Sequence, residues 1–241
     1  MKDTELSGID ERLDVLINEH ALERLDDILP NLTDRELWYQ VSYPQILQHF
    51  RDSKGSSDPK AHVLRIACVS SWIPAALKSN LDPNAIERIQ YFEKLYENST
   101  LWEIGSESYL GGIHQKGIEK YHGFRIFQVQ SDHRPYLMKD YLEPVTFLLN
   151  SSNRWKNTIG TTSKYLHFML PNLFQILDSN IAKILFDTEL VDDVRYSIYT
   201  FALQDIIPRK KFVLKYANEK GLSPLKVIDN ILFHVPIVFY K

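Results

Sequence analysis

Residues 157 to 182 read Asn-Thr-Ile-Gly-Thr-Thr-Ser-Lys-Tyr-Leu-His-Phe-Met-Leu-Pro-Asn-Leu-Phe-Gln-Ile-Leu-Asp-Ser-Asn-Ile-Ala. The pattern predicts two consecutive helices, Lys164 to Leu170 and Asp178 to Phe186, joined through Pro171. Gly160 permits a tight turn ahead of the first, and Thr162 or Ser163 can cap it. Lys164 is then expected on the first turn. There the positive end of the helix dipole and partial burial both disfavour the ammonium, and a neutral amine is a nucleophile able to form a Schiff base. Free backbone N–H groups at the same helix end suit a phosphate. Asp178 opens the second helix. Its carboxylate can stabilise an oxocarbenium-like centre or accept a proton, or serve as a cap and nothing more.

Working outward, apolar residues from Ile9 to Leu29 recur at helical spacing, with acidic residues opposite, and Pro30 ends that segment. Thr33 or Asp34 caps a helix running toward Tyr43, which Pro44 either breaks or restarts. Arg51 to Lys60 reads as a polar loop, and His62 to Leu77 as a buried helix kinked at Pro74. Asp82-Pro83 opens another helix. Four glycines between Leu101 and Gly123 mark the loosest stretch, and Phe124 to Gln130 alternates as a short strand. Helical patterns return at Tyr141 to Leu149, Asp192 to Asp205, Arg209 to Lys220 and Pro224 to Phe233. The expectation is a mainly α chain with at most a small strand element, forming one compact unit over residues 1–241, either undivided or as two packed lobes with the cleft between them.

The chain has 241 residues, enough to bury a substantial core, and one cysteine, Cys68, which excludes an internal disulfide and a cysteine-rich zinc site. A cytoplasmic protein is expected, because the acidic N-terminus has no apolar signal core and no run reaches membrane-spanning length. The net charge of -3 is uneven. Residues 1 to 50 hold 4 Lys+Arg against 11 Asp+Glu, whereas Lys120 to Lys183 holds 8 basic against 4 acidic residues. Arg209, Lys210, Lys211 and Lys215 form a further basic group, able to track a phosphate backbone or simply to end a solvated helix. An acidic end joined to a basic body is compatible with DNA on one face.

Gly160-Thr-Thr-Ser-Lys164 followed by Ile176-Leu177-Asp178-Ser-Asn-Ile resembles the signature of the helix-hairpin-helix DNA glycosylases, the endonuclease III and 8-oxoguanine glycosylase branches among them. The resemblance covers 26 residues, 157–182. It implies a two-lobed helical fold that flips a modified or damaged base out of DNA. Lys164 would attack the deoxyribose carbon and Asp178 would assist it, while Gly160, Thr161, Thr162, Ser163 and Asn180 would meet the DNA backbone. The chain also resembles the bacterial antiphage glycosylases that remove glucosylated hydroxymethylcytosine, which implies a role in defence.

Other residues carry two readings. His167, three positions after Lys164, can line the cleft or be hydrogen-bonded inside the fold. Trp72, Trp102, Tyr109 and Trp155 can stack on an extruded base or pack in the core. Tyr109, near Gly111-Gly112, is the best placed of the four for a pocket, and Trp72 is kept beside it. The eight histidines do not pair at ligand spacing, and no phosphate or dinucleotide glycine loop is present, so no metal and no cofactor is expected. The expected partner is DNA, with neither a membrane nor an obligate protein partner. The alternative is a noncatalytic helical protein that binds nucleic acid or another protein.

Overall fold

The structure, a computed structural model, describes residues 3–72, 159–172 and 174–234. Within them the chain is mainly helical and no strand occurs. The helices are α1 (Asp3–Leu16), α2 (Glu19–Ile28), α3 (Asp34–Asp52), α4 (Pro59–Ser71), α5 (Ile159–Met169), α6 (Ser179–Phe186), α7 (Asp193–Arg209), α8 (Lys211–Lys220) and α9 (Pro224–His234), with a 3-10 turn at Leu29–Asn31. The helices read from Asp82 and from Tyr141, the strand at Phe124, the glycine-rich stretch, Trp102, Tyr109 and Trp155 lie outside the described residues.

Local chemistry explains the boundaries. The first amphipathic segment is two helices, because Asn18 interrupts it. Its side chain accepts from the Ala21 N–H at 2.8 Å, capping α2, and donates to the Val15 carbonyl at 2.7 Å. Thr33 and Glu36 form a capping box at the start of α3. Pro44 neither breaks nor starts a helix, but lies exposed inside α3. Tyr43, Ile46 and Phe50 around it are all buried, so packing of that face outweighs the missing backbone bond. Asp58 caps α4 and Pro59 occupies its first turn, so the helix starts earlier than the polar loop suggested.

Two packing arrangements meet in the middle. α3, α4 and α5 touch one another pairwise, through an aromatic cluster in which Trp72 meets Phe168 edge-on at 4.9 Å and Phe50 meets Tyr165 at 5.3 Å. Such pairs add about 0.5–1.5 kcal/mol each beyond their burial. Elsewhere α1 packs on α7 and α6, and α9 packs on α2, α6 and α8. Leu13, Leu185, Tyr196, Ile206, Val227 and Leu232 are fully buried there. The basic group at the α7–α8 junction joins this frame. Lys210 reaches Asp14 of α1 at 2.8 Å and Arg209 faces the same carboxylate at 3.9 Å.

Candidate functional site

The site begins with the loop that leads into α6, which buried side chains hold at Phe174, Gln175 and Leu177. His167 Nδ1 lies 2.6 Å from the Phe174 carbonyl. Tyr196 donates its hydroxyl to the Gln175 carbonyl at 3.1 Å, and Ser163 Oγ accepts from the Leu177 N–H at 3.2 Å. Gln175 itself is pinned to Thr200. These bonds deliver Asp178 to the N-cap of α6 in one orientation.

The two carboxylate oxygens of Asp178 divide their work. Oδ1 accepts from the Asn180 and Ile181 N–H groups, each at 3.1 Å. Oδ2 faces Lys164 Nζ at 3.4 Å. The side chains are 14% and 20% exposed, so the pair is largely desolvated yet reachable. Both residues line a cavity of about 360 Å3, within the usual range of small-molecule sites, about 300–1,000 Å3. Gly160, Thr161, Ser179 and Asn180 share its rim, Tyr39 and Trp72 give it an aromatic wall, and α9 contributes Lys226, Asp229, Asn230 and His234.

Several expected roles change. Gly160 turns no corner, because it is already helical in α5, and Lys164 lies at least a full turn into that helix. The helix-dipole argument for a neutral Lys164 amine therefore falls away, since the effect fades beyond the first turn. Neither Thr162 nor Ser163 caps α5 or lines the cavity. Both are inside the helix with no exposed surface, and the Ser163 hydroxyl donates to Gly160 and Leu177 carbonyls.

His167 likewise stays out of the cavity, fully buried. Its Nδ1 can only donate to the Phe174 carbonyl, which leaves Nε2 to accept from the Tyr43 hydroxyl at 2.7 Å. Burial is the main force pushing its pKa down, to about 4, so the ring is neutral. Trp72 is buried as well, with its indole N–H donating to Ser42 Oγ at 2.8 Å, and still presents an edge or face to the cavity.

The sequence reading missed the floor. Lys226 Nζ and Asp229 Oδ2 are 2.5 Å apart with side chains 5% and 10% exposed, and the ammonium sits 5.1 Å from the Tyr43 ring centroid and 5.3 Å from that of Trp72. A signal was present: Lys226, Asp229 and Asn230 fall at i, i+3 and i+4 on a helix otherwise filled by Leu225, Val227, Ile228, Ile231 and Leu232. Three polar side chains sharing one stripe of an apolar helix need a reason to be buried.

Among the described residues no three His, Cys, Asp or Glu side chains group as metal ligands would, and no helix is long and apolar enough to cross a membrane. No protein-family model, curated protein or solved structure matches the chain.

Proposed function

We propose that the chain is a DNA glycosylase that takes a flipped, modified or damaged base into the cavity beneath Lys164 and Asp178. The observation that carries this reading is the 3.4 Å approach of Lys164 Nζ to Asp178 Oδ2 on the wall of one open, aromatic-sided cavity. An aromatic wall grips an extruded base by its face. The carboxylate stands where positive charge develops as the C1′–N bond breaks and its electron pair leaves with the base. A water oxygen then bonds to C1′. Asp178 takes the proton that this water loses and gives it up to solvent, and the departing base nitrogen takes a proton from solvent, so that one water is consumed in all. In the lyase branch the Lys164 amine replaces water as nucleophile, after its ammonium passes a proton to Asp178 Oδ2.

The test is excision on duplexes that each carry one modified or damaged base, read as alkali-labile strand cleavage. Product formation that disappears in Asp178→Asn supports the proposal, because Asn caps a helix as well as Asp and so preserves α6. Borohydride trapping on abasic DNA examines Lys164 separately. Absence of an adduct, or an adduct that persists in Lys164→Ala, removes the nucleophile role. The competing reading, a noncatalytic nucleic-acid-binding protein, rests on the cap: Asp178 already serves α6 through Oδ1. It prevails if binding is steeply salt-dependent and no base is released from any duplex.

A further inference from the structure

The floor of the cavity offers a defined hydrogen-bonding edge, and its polarity can be worked out atom by atom. Glu36 accepts from the Thr33 N–H at 2.9 Å in the α3 capping box, and its other oxygen faces His234 Nδ1 at 3.8 Å. That carboxylate favours a proton on Nδ1. Burial and the Lys226 ammonium hold the His234 pKa below its ordinary value, so the ring is neutral and Nε2 accepts. The Gln40 group 3.4 Å from that nitrogen must then be its NH2, which also donates to Asn230 Oδ1 at 3.2 Å. With its oxygen so engaged, Asn230 keeps its own NH2 for another partner.

Asn230 is 2% exposed and lines the cavity, and its Nδ2 has no hydrogen-bond partner among the described residues. The same holds for Asp229 Oδ1, since the Lys226 contact is made by Oδ2. Lys226, with three N–H groups and a single carboxylate partner, retains donors too. Among the described residues none of these three atoms is both sealed from solvent and unpartnered, so each is open to the cavity, where a ligand can take the place of water on it.

We propose that this floor recognises an imide edge, carbonyl, N–H, carbonyl, as carried by 2,4-dioxopyrimidines of the uracil and thymine type. Asn230 Nδ2 donates to one carbonyl, Asp229 Oδ1 accepts from the ring N–H, and Lys226 Nζ donates to the second carbonyl. Lys226 and Asn230 are one helical turn apart and Asp229 is the neighbour of Asn230, so one stretch of α9 carries all three into the cavity wall. In that register an aminopyrimidine edge, which presents donor, acceptor, acceptor, sets its NH2 against a donor and its ring nitrogen against the Asp229 carboxylate. The inference rests on the glycosylase reading for how such a base would arrive, yet the edge itself would bind a free base equally.

The experiment uses the full chain and four free ligands, uracil, 1-methyluracil, 3-methyluracil and cytosine, with binding followed by calorimetry or ligand-observed NMR. In parallel, it measures excision from duplexes bearing one mismatched deoxyuridine, one 3-methyldeoxyuridine or one mismatched deoxycytidine. Uracil and 1-methyluracil should bind on the order of tenfold or more tightly than 3-methyluracil and cytosine, and Asn230→Asp should erase that margin. Because the ligand series needs no variant, it decides the matter even where Asn230→Asp does not fold. Equal binding of all four ligands, or of none, overturns the imide assignment, as does excision that favours deoxycytidine. Selective binding of the two imide bases with no excision from any duplex leaves the assignment standing, and overturns the glycosylase reading instead.

Discussion

Two lysine–aspartate pairs face the same cavity, and they are built in opposite ways. At the rim, Lys164 and Asp178 come from different elements, stand 3.4 Å apart and keep partial access to solvent. On the floor, Lys226 and Asp229 lie three residues apart on one helix, 2.5 Å from each other, largely shielded from solvent and with the ammonium beside the Tyr43 and Trp72 rings. A long contact between separate elements leaves both groups free to engage a third party. A short one within a helix fixes its members and turns their remaining hydrogen-bonding atoms outward. Under the proposed function the rim pair would take part in the reaction and the floor pair in recognition.

Breaking the rim pair gives the largest expected effect. Asp178→Asn should lower the single-turnover excision rate by about 10²–10⁴-fold, the usual worth of a positioned acid–base group, while thermal stability stays close to wild type because the cap survives. Asp178→Ala removes charge and cap together and should also cost about 1 kcal/mol of folding stability, read from denaturant midpoints. If Asp178→Asn excises at the wild-type rate, the rim pair is only structural and the contrast between the pairs collapses.

Breaking the floor pair should act mainly on stability. Lys226→Met leaves Asp229 as an uncompensated buried carboxylate and is expected to cost about 3–5 kcal/mol, whereas Lys226→Met combined with Asp229→Leu should recover most of that loss. Urea unfolding of the three proteins measures both. A single variant as stable as wild type would mean that Asp229 is better hydrated than its 10% side-chain exposure indicates.

The connection between the pairs is sensitive to pH. His167, on the helix that carries Lys164, accepts from Tyr43, whose ring lies under the Lys226 ammonium. Its folded pKa of about 4 lies below the ordinary 6.5, so between those values the unfolded chain holds more protons. Stability from this group is complete above about pH 6.5 and is lost as pH falls toward 4, by about 3 kcal/mol in all. Denaturant titrations between pH 7 and 4.5 should show that slope, and it should shrink in His167→Gln, which has no ring to protonate.

How much of this was legible depended on whether the signal was local. The caps at Thr33 and Asp178 are set by residues within three positions of one another and were legible in the chain, Thr33 beside Asp34 as the alternative, whereas the equally local cap at Asp58 was hidden in what reads as a polar loop. The meeting of Lys164 with Asp178 was readable as a juxtaposition, because only a short pinned loop separates α5 from α6. Pro44 was misread because the apolar packing that keeps α3 continuous through it involves α4 and α5, distant in sequence. The floor was invisible for the same reason. Lys226 gains its meaning from Tyr43 and Trp72, more than 150 residues away, and Asn230 from Gln40.

The smallest effect tests the rim's backbone. Gly160 was expected to make a turn and to meet DNA, yet it is helical, and a Cβ built there would lie 3.6 Å from the Leu177 carbonyl oxygen, an ordinary contact. Gly160→Ala should therefore raise folding stability by about 0.5–1 kcal/mol, through the lower entropy of the unfolded chain and the better helix propensity of alanine. Because Gly160 borders the cavity, the same variant measures how closely a nucleotide approaches α5. A gain in stability with unchanged DNA affinity places the ligand away from this turn, toward Asn180 and the α6 amides. A gain in stability with a loss of affinity shows that the glycine is retained for the approach of a ligand, at the expense of the helix that carries it. A loss of stability contradicts the helical placement of Gly160 and returns it to the turn that its sequence context suggested.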